Sequence, residues 1–135
     1  MKDCDLFYEI ISDSDNNIKF ILTNRDGYII DSYINYNLSF RIRVKREIKE
    51  YVLGTEGCVV GTKQDYVISD DNGKILVDST HEGAVLEDIP CVVISIPKKT
   101  FKSEGVVEMA VCDKKDDNNE IWSNWFSTIL KMIQL

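Results

Sequence analysis

Residues 38–44 alternate between apolar and polar side chains, and this pattern constrains the fold more than any other feature of the chain. The apolar positions are Leu38, Phe40, Ile42 and Val44. The intervening positions are Ser39, Arg41 and Arg43, and Lys45 follows. Because side chains alternate between the two faces of a strand, a period of two places every apolar side chain on one face. The pattern predicts a half-buried strand whose basic face lies in water.

Short apolar runs of this kind recur along the chain and are separated by turn residues. Asn24-Arg25-Asp26-Gly27 and Asp70-Asp71-Asn72-Gly73 end in a glycine, which tolerates the positive φ of tight hairpin turns. Residues 28–34 are then the returning strand of the first hairpin. Residues 51–66, with three glycines, are predicted to form either short bent strands or a long excursion. Further strand faces are predicted at Ile18, Phe20 and Leu22, at Val92, Ile94 and Ile96, and at Val107, Met109 and Val111. Seven or eight short strands with turns between them predict an all-β chain folded as an antiparallel β-sandwich.

The C-terminal residues 120–135 are ambiguous. Their apolar residues come in pairs about four positions apart, Ile121-Trp122, Trp125-Phe126, Ile129-Leu130 and Met132-Ile133. That spacing is typical of an amphipathic helix, whereas the Trp, Phe, Ile, Ser and Thr content favours a strand. We favour the strand, and one short C-terminal helix is the open alternative.

Length and charge limit the class of protein. A chain of 135 residues is close to the commonest size of one domain, so we expect residues 1–135 to form a single domain. A formal net charge of −7 repels phosphate backbones and disfavours nucleic-acid binding. One basic cluster, interpreted as the solvated face of a strand, consists of Arg41, Arg43, Lys45, Arg46 and Lys49.

The N-terminal residues and the hydropathy give an expectation for the cellular setting. Met1-Lys2-Asp3-Cys4-Asp5 starts no apolar region of the kind that a signal peptide requires. No stretch approaches the ~18–20 apolar residues that span a bilayer. We therefore expect a protein that is made in the cytoplasm and does not associate with a membrane. Its cysteines, Cys4, Cys58, Cys91 and Cys112, are widely separated and are expected to be buried thiols rather than metal ligands or redox pairs.

No catalytic constellation can be assembled from the sequence. The one histidine, His81, lies between Ser79 and Glu82, but neighbouring loop residues do not present a nucleophile to an oriented base. The glycines lack the Lys-Ser/Thr of a phosphate-binding loop and do not match a dinucleotide fingerprint. We expect a protein that is not an enzyme, with no catalytic residues and no cofactor.

Two acidic clusters resemble calcium loops without completing one. Asp13, Asp15 and Asn17 occupy the first three ligand positions, but Ile18 stands where the sharp turn needs glycine. The second cluster is Asp113, Asp116, Asp117 and Glu120. We therefore assign no metal ligand.

Five aromatic residues are the candidate interface residues, namely Trp122, Trp125, Phe126, Tyr33 and Tyr36. Aromatic residues dominate the energetics of protein interfaces and also form platforms for sugars. The competing interpretation is that one tryptophan fills the core of the sandwich. On a two-faced strand, one tryptophan can point inward and the other toward a partner.

The order of these segments resembles the N-terminal immunoglobulin-like domain of phage baseplate upper proteins and related virion modules. The resemblance covers roughly residues 17–130 and is carried by the hairpin Asn24-Arg25-Asp26-Gly27, the strand Leu38-Ser39-Phe40-Arg41-Ile42, the strand ending Ile94-Ser95-Ile96-Pro97, the strand Gly105-Val106-Val107, and Trp122-Ser123-Asn124-Trp125. Residues 51–83 form a longer excursion than the family pattern has.

The resemblance implies an immunoglobulin-like sandwich and a structural role. The protein would then be a non-enzymatic component of a phage virion, in the tail, baseplate or capsid, that docks onto other virion proteins in several symmetric copies. The alternative is a carbohydrate- or ligand-binding β-sandwich of bacterial or phage origin, with the exposed aromatic residues as its platform.

Overall fold

A computed structural model describes residues 9–10, 15–33, 36–102, 105–114, 120–127 and 132–134. These residues form ten β-strands and no helix, which confirms the predicted all-β class. The strands are β1 (Glu9–Ile10), β2 (Asn16–Thr23), β3 (Leu38–Val44), β4 (Glu47–Val52), β5 (Cys58–Asp70), β6 (Gly73–Leu76), β7 (Val85–Ile96), β8 (Gly105–Asp113), β9 (Phe126–Ser127) and β10 (Met132–Gln134). None of the described residues belongs to a helix that could cross a membrane.

The strands form two five-stranded sheets. In sheet I the order is β1-β8-β3-β4, and β9 also pairs with β8. In sheet II the order is β10-β2-β7-β5-β6. The pairs are antiparallel except for β10 and β2, which run parallel. The strand interpretation of the C-terminus is confirmed for Phe126–Ser127 and Met132–Gln134 only. Residues 120–125 lie outside the strands, with one isolated bridge at Trp122, and Ile129 and Leu130 lie outside the described residues.

The two sheets pack face to face around the main core. Phe20 of sheet II meets Phe40 of sheet I with ring centroids 5.2 Å apart and an interplanar angle of 69°, an edge-to-face contact that aromatic pairs favour. The four predicted apolar positions of β3 are 0–1% exposed, so the alternation places them as expected. The predicted β-sandwich is confirmed at this level. The strands contribute to this main core Ile18, Phe20, Leu22, Leu38, Phe40, Ile42, Val44, Cys58, Val92, Ile94, Ile96, Val107, Met109 and Val111.

A second, smaller core lies on the opposite face of sheet II. Strand β7 contributes Val92 and Ile94 to the main core, but Cys91 and Ile89 to the second, because successive side chains point to opposite faces. The remaining members are Ile21, Ile29 and Val67. Ile29 N donates to Lys74 O of β6 (2.8 Å) and Ile30 N donates to Leu22 O of β2 (2.9 Å). These two hydrogen bonds connect the segment that carries Ile29 to both β6 and β2.

The turn at residues 24–27 forms, but the predicted returning strand does not. Gly27 N donates to Asn24 O (3.0 Å), and Gly27 has a φ of +88° that favours glycine. Of residues 28–33, only Ile29 makes a bridge, to Thr23. The prediction of a strand is therefore wrong for residues 28–33. Ile29 bonds to β6 and joins the second core, whereas Ile30 bonds to β2 and joins the main core, so the segment follows no single strand.

Residues 58–70 form one continuous strand of thirteen residues instead of the predicted short bent strands. Gly61 lies inside it, paired with Cys91. A Cβ atom at Gly61 would lie 2.8 Å from Cγ2 of Val93, closer than packed atoms allow. This glycine therefore marks a close side-chain approach rather than a bend.

A candidate interaction surface on the outer face of sheet I

The outer face of sheet I carries two arginines at its centre. Arg41 and Arg43 are on the face of β3 opposite the main core. Arg41 lies opposite Glu50 and Ala110, and Arg43 lies opposite Ile48 and Glu108. Because directly opposed side chains on one face are in reach of one another, each arginine has a carboxylate beside it.

Trp122 lies against the first of these arginines. The guanidinium carbon of Arg41 is 3.9 Å from the centroid of the Trp122 ring, a cation–π geometry. Arg41 Nε also donates to Glu50 Oε1 (3.2 Å). The backbone of Trp122 makes an isolated bridge to Cys112 of β8, which brings the indole over the sheet from its edge.

Glu120 connects this cluster to a second cation. Trp122 Nε1 donates to Glu120 Oε1 (2.7 Å), and the Arg41 and Lys114 nitrogens lie 3.7 and 3.6 Å from that oxygen. The indole hydrogen bond is the main cause that lowers the pKa of Glu120 from its ordinary value. Glu120 is therefore ionised at neutral pH and balances the cations around it.

Trp125 and Arg43 form the second stack. The guanidinium carbon of Arg43 is 4.1 Å from the centroid of the Trp125 ring. Arg43 Nε and Nη2 lie 3.1 Å from the two carboxylate oxygens of Glu108, and this bidentate pairing fixes the plane of the guanidinium group. The side chain of Arg43 is 28% exposed.

The interpretation of the basic cluster as a solvated strand face is therefore wrong for Arg41 and Arg43. Both side chains are half-buried, each stacked on a tryptophan and paired with a carboxylate. Lys45, with a φ of +55°, is in the turn after β3 instead of continuing its alternation. Ser39 is also buried, at 1% exposure, although the alternation placed it in water.

The five predicted interface residues do not gather at one place. Trp122 and Trp125 share the outer face of sheet I, and neither belongs to either core, so the core-filling interpretation is wrong for both. Tyr33 is 8% exposed and donates its hydroxyl to Pro90 O (3.1 Å). Burial raises the pKa of Tyr33 to about 12. Tyr33 is thus a core residue with little surface to offer a partner.

Tyr36 and Phe126 are the remaining two predicted interface residues. Tyr36 is partly buried and packs against the main core. Phe126 pairs through its backbone with Met109, and its side chain lies outside the described part of the chain. The interface role of the tryptophans stays a prediction.

Exposed apolar residues border the two stacks. Ile48, directly across from Arg43, is 51% exposed, and Val106, two residues before Glu108, is 40% exposed. We call the surface formed by Arg41, Arg43, Trp122, Trp125, Ile48 and Val106 the tryptophan–arginine face. No pattern in the sequence pointed to Ile48 or Val106. The register of β4 and β8 against β3, which the sequence does not state, puts them on this face.

The structure describes both His81 and Ser79 and places them in an exposed loop, with no hydrogen bond between their side chains. His81 is exposed, and its Nδ1 lies 3.0 Å from the backbone oxygen of Glu82. Ser79 is also exposed in that loop. Cys58, Cys91 and Cys112 are buried and free, and burial raises the pKa of Cys58 to about 12. Cys4 lies outside the described residues.

Two acidic residues of the calcium-like clusters, Asp15 and Asp113, accept hydrogen bonds from backbone N–H groups. Asp15 Oδ1 accepts Lys98 N (2.8 Å) at the side of a groove of about 260 Å³, and Asp113 Oδ1 accepts Asn37 N (3.1 Å). Within the described ranges, no group of three or more His, Cys, Asp or Glu side chains is placed to hold a metal ion. Asp13, Asp116 and Asp117 lie outside those ranges.

Comparisons of the chain with models of protein families, with curated proteins and with solved structures found no match.

Proposed function

We propose that this chain is a non-enzymatic structural component of a phage virion, a tail, baseplate or capsid-associated module that docks onto other virion proteins. The observation that carries the docking role is the tryptophan–arginine face. The virion setting comes from the resemblance of the segment order to immunoglobulin-like phage modules.

The chemistry of the tryptophan–arginine face suits a protein partner. Tryptophan and arginine are enriched at the centres of protein interfaces. Here Arg43 is fixed by Glu108 and Trp125 before any partner arrives. A partner that covers Ile48 and Val106 removes exposed apolar surface from water without having to order long side chains.

The order of the strands supports an immunoglobulin-like topology. Sheet I contains the order β4-β3-β8-β9, and sheet II contains β2-β7-β5. In an immunoglobulin variable-type sandwich the corresponding orders are C′-C-F-G and B-E-D. The chain departs from that pattern at the edge next to β2, where β10 pairs in parallel, and in the hairpin formed by β5 and β6.

A carbohydrate-binding module is the alternative function. Stacking of a sugar needs an uncovered aromatic face, and one face of each indole is already occupied by a guanidinium group at 3.9 or 4.1 Å. The half-buried tryptophans therefore favour a protein partner over a sugar.

The test combines gene order with reconstitution. Tail or capsid genes beside this one supply the candidate partners, which are mixed with the purified chain and followed by size-exclusion chromatography. We expect a complex that Ile48→Asp and Val106→Asp abolish. The matched control is Val85→Asp, at a residue 55% exposed on sheet II.

Two outcomes would overturn the proposal. One is that Val85→Asp abolishes the complex as completely as Ile48→Asp and Val106→Asp do, which would show that docking does not depend specifically on the outer face of sheet I. The other is a monomer that forms no complex with these proteins and binds glycans on an array in a Trp125-dependent way, which would establish the alternative.

A further inference from the structure

One end of the sandwich concentrates positive charge in a chain whose net charge is −7. Its residues come from the turn between β3 and β4 and from the loop after β7. We call this the basic end, formed by Lys45, Arg46, Lys98, Lys99 and Lys102, all exposed. Within the described part of the chain, none of the five has a carboxylate oxygen within 4 Å.

A hydrogen bond joins the two segments of the basic end. Lys102 N donates to Glu47 Oε1 at the start of β4 (2.7 Å). The nearby carboxylates Glu47 and Asp15 accept hydrogen bonds from backbone N–H groups. Among the described residues of this end, five exposed cations stand against two carboxylates, and both carboxylates already accept a hydrogen bond.

The other end of the sandwich has the opposite sign. The turns at residues 24–27 and 70–73 and the loop 77–84 carry five exposed carboxylates and one arginine. We call this the acidic end, formed by Asp26, Asp70, Asp71, Asp78 and Glu82. The turns adjoin each other because the Tyr28 hydroxyl donates to Asp70 Oδ2 (2.8 Å). This bond lowers the pKa of Asp70, and the Thr80 hydroxyl lowers that of Asp78, so both remain ionised.

Strand β7 separates the two ends. The loop 77–84 leads into Val85, the first residue of β7, and residues 97–102 follow Ile96, its last. A strand of 12 residues that rises about 3.3 Å per residue extends roughly 36 Å. That span is several times the Debye length of about 8 Å at physiological ionic strength, so the charges of one end do not neutralise those of the other.

We propose that the basic end of one copy of this chain docks against the acidic end of a second copy. Among the described residues, five cations against Glu47 and Asp15 leave one end net positive, and five carboxylates against Arg25 leave the other end net negative. Because the two surfaces are different, the contact is head-to-tail, and repetition closes into a ring or continues as a filament. The inference goes beyond the proposed docking function and concerns different surfaces, so each can fail without the other.

The experiment measures the mass of the purified chain by sedimentation velocity across ionic strengths. At about 20 mM salt, where the Debye length exceeds ~20 Å, we expect association, and at about 300 mM we expect it to weaken roughly tenfold or more. The basic-end variant is Arg46→Glu with Lys98→Glu. The acidic-end variant is Asp71→Lys with Glu82→Lys. Neither pair includes a residue with positive φ or a side chain with a hydrogen bond in the described structure.

Each variant alone should be monomeric at low salt, and an equimolar mixture should associate again, because one variant keeps the native acidic end and the other keeps the native basic end. The control, Lys49→Glu with Asp88→Lys, changes exposed residues within β4 and β7 and should associate like the wild type. Ile48→Asp should also associate, which separates this contact from the tryptophan–arginine face.

Circular dichroism establishes that each variant is folded. A wild-type chain that stays monomeric at low salt, or an association that salt does not weaken, overturns the proposal. So does a mixture of the two end variants that remains monomeric, or an association that the control or Ile48→Asp abolishes.

Discussion

The guanidinium carbon of Arg41 lies 3.9 Å from the centroid of the Trp122 ring, although the two residues are 81 positions apart in the chain. Arg41 also pairs with Glu50 of β4, so one side chain connects β4, β3 and the segment before β9. Described backbone pairing between that segment and β8 is limited to the bridge at Trp122 and the two residue pairs of β9. Side-chain contacts therefore supply much of what holds the segment on sheet I.

The Arg41–Trp122 stack should be measurable as a coupling energy. Arg41→Ala, Trp122→Ala and the double variant form a cycle, and we expect a coupling of about 0.5–1 kcal/mol in the free energy of unfolding. Urea titration followed by circular dichroism measures it. Arg41→Ala alone should cost more than the roughly 0.5 kcal/mol of an ordinary surface change, because its removal also leaves Glu50 and Glu120 without that cation.

The specificity of this coupling is tested by exchanging the tryptophan. A cycle of Arg41→Ala with Trp125→Ala should give a coupling near zero, since Trp125 stacks on Arg43. Equal coupling with both tryptophans would mean that the arginine acts through the general charge of the face rather than through one ring.

Ser39 should be replaceable by alanine without loss of stability. Its side chain is 1% exposed, and its hydroxyl has no hydrogen-bond partner among the described residues. A buried hydroxyl without a partner destabilises the folded state by its lost hydration. We expect Ser39→Ala to be neutral or to stabilise the protein by about 1 kcal/mol.

The neighbouring residue provides the matched contrast for Ser39. Phe40 is 0% exposed, and Phe40→Ala should cost about 3–5 kcal/mol in the free energy of unfolding. Thermal and urea unfolding of the two variants under the same buffer conditions measure both changes in the free energy of unfolding. A loss of more than ~1 kcal/mol with Ser39→Ala would show that the hydroxyl has a partner.

The core faces of the strands could be predicted because alternation is a local property of the sequence. Phe40 and Ile42 are buried for the reason that their spacing indicates, and the turn at Gly73 follows from its Asn-Gly pair. The environment of Arg41 could not be predicted in the same way. A polar position on a strand says only that it faces away from the core, and the residue that covers it comes from a distant segment.

The remaining errors have the same origin in long-range contacts. The sequence marked Tyr33 as an interface residue because aromatic side chains suit both interfaces and cores. Its burial depends on Pro90, 57 residues away. Gly61 suggested a bend, whereas in the structure it makes room for the side chain of Val93. That close approach depends on the register of β7 on β5, which no local pattern reveals.

The buried thiols should be unreactive in the folded protein. In a Cys4→Ser variant, Cys58, Cys91 and Cys112 remain, and each is at most 1% exposed. Burial raises the pKa of each thiol, so the reactive thiolate is rare at about pH 8, below the ordinary cysteine pKa of about 8.5. We expect no reaction with an aromatic disulfide reagent in buffer and three reacting thiols in urea.

One thiol should respond to loss of the tryptophan. Cys112 faces away from the main core and bridges to Trp122, so Trp122→Ala should make Cys112 reactive while Cys58 stays protected in the core. Mass spectrometry after brief labelling identifies the modified residue. Simultaneous labelling of Cys58 and Cys112 would instead indicate global unfolding.

Acid should destabilise the protein partly through Asp70. The Tyr28 hydroxyl is the main cause that lowers the pKa of the Asp70 carboxyl, and the N–H groups of Asn72 and Gly73 contribute in the same direction. A carboxyl whose folded pKa is depressed stabilises the protein above its unfolded pKa, about 3.9 for aspartate, and that stability is lost as the pH falls through the folded pKa.

Tyr28→Phe removes one donor while the ring remains against Gly73. We therefore expect Tyr28→Phe to be less stable than the wild type at neutral pH, and the difference to disappear as the pH falls well below about 4, where Asp70 is protonated in both. Urea unfolding at several pH values measures this, and Tyr66→Phe serves as the control because the same atom is removed away from Asp70. A difference that persists unchanged in acid would show that the Tyr28 hydroxyl stabilises the fold through something other than the ionised Asp70.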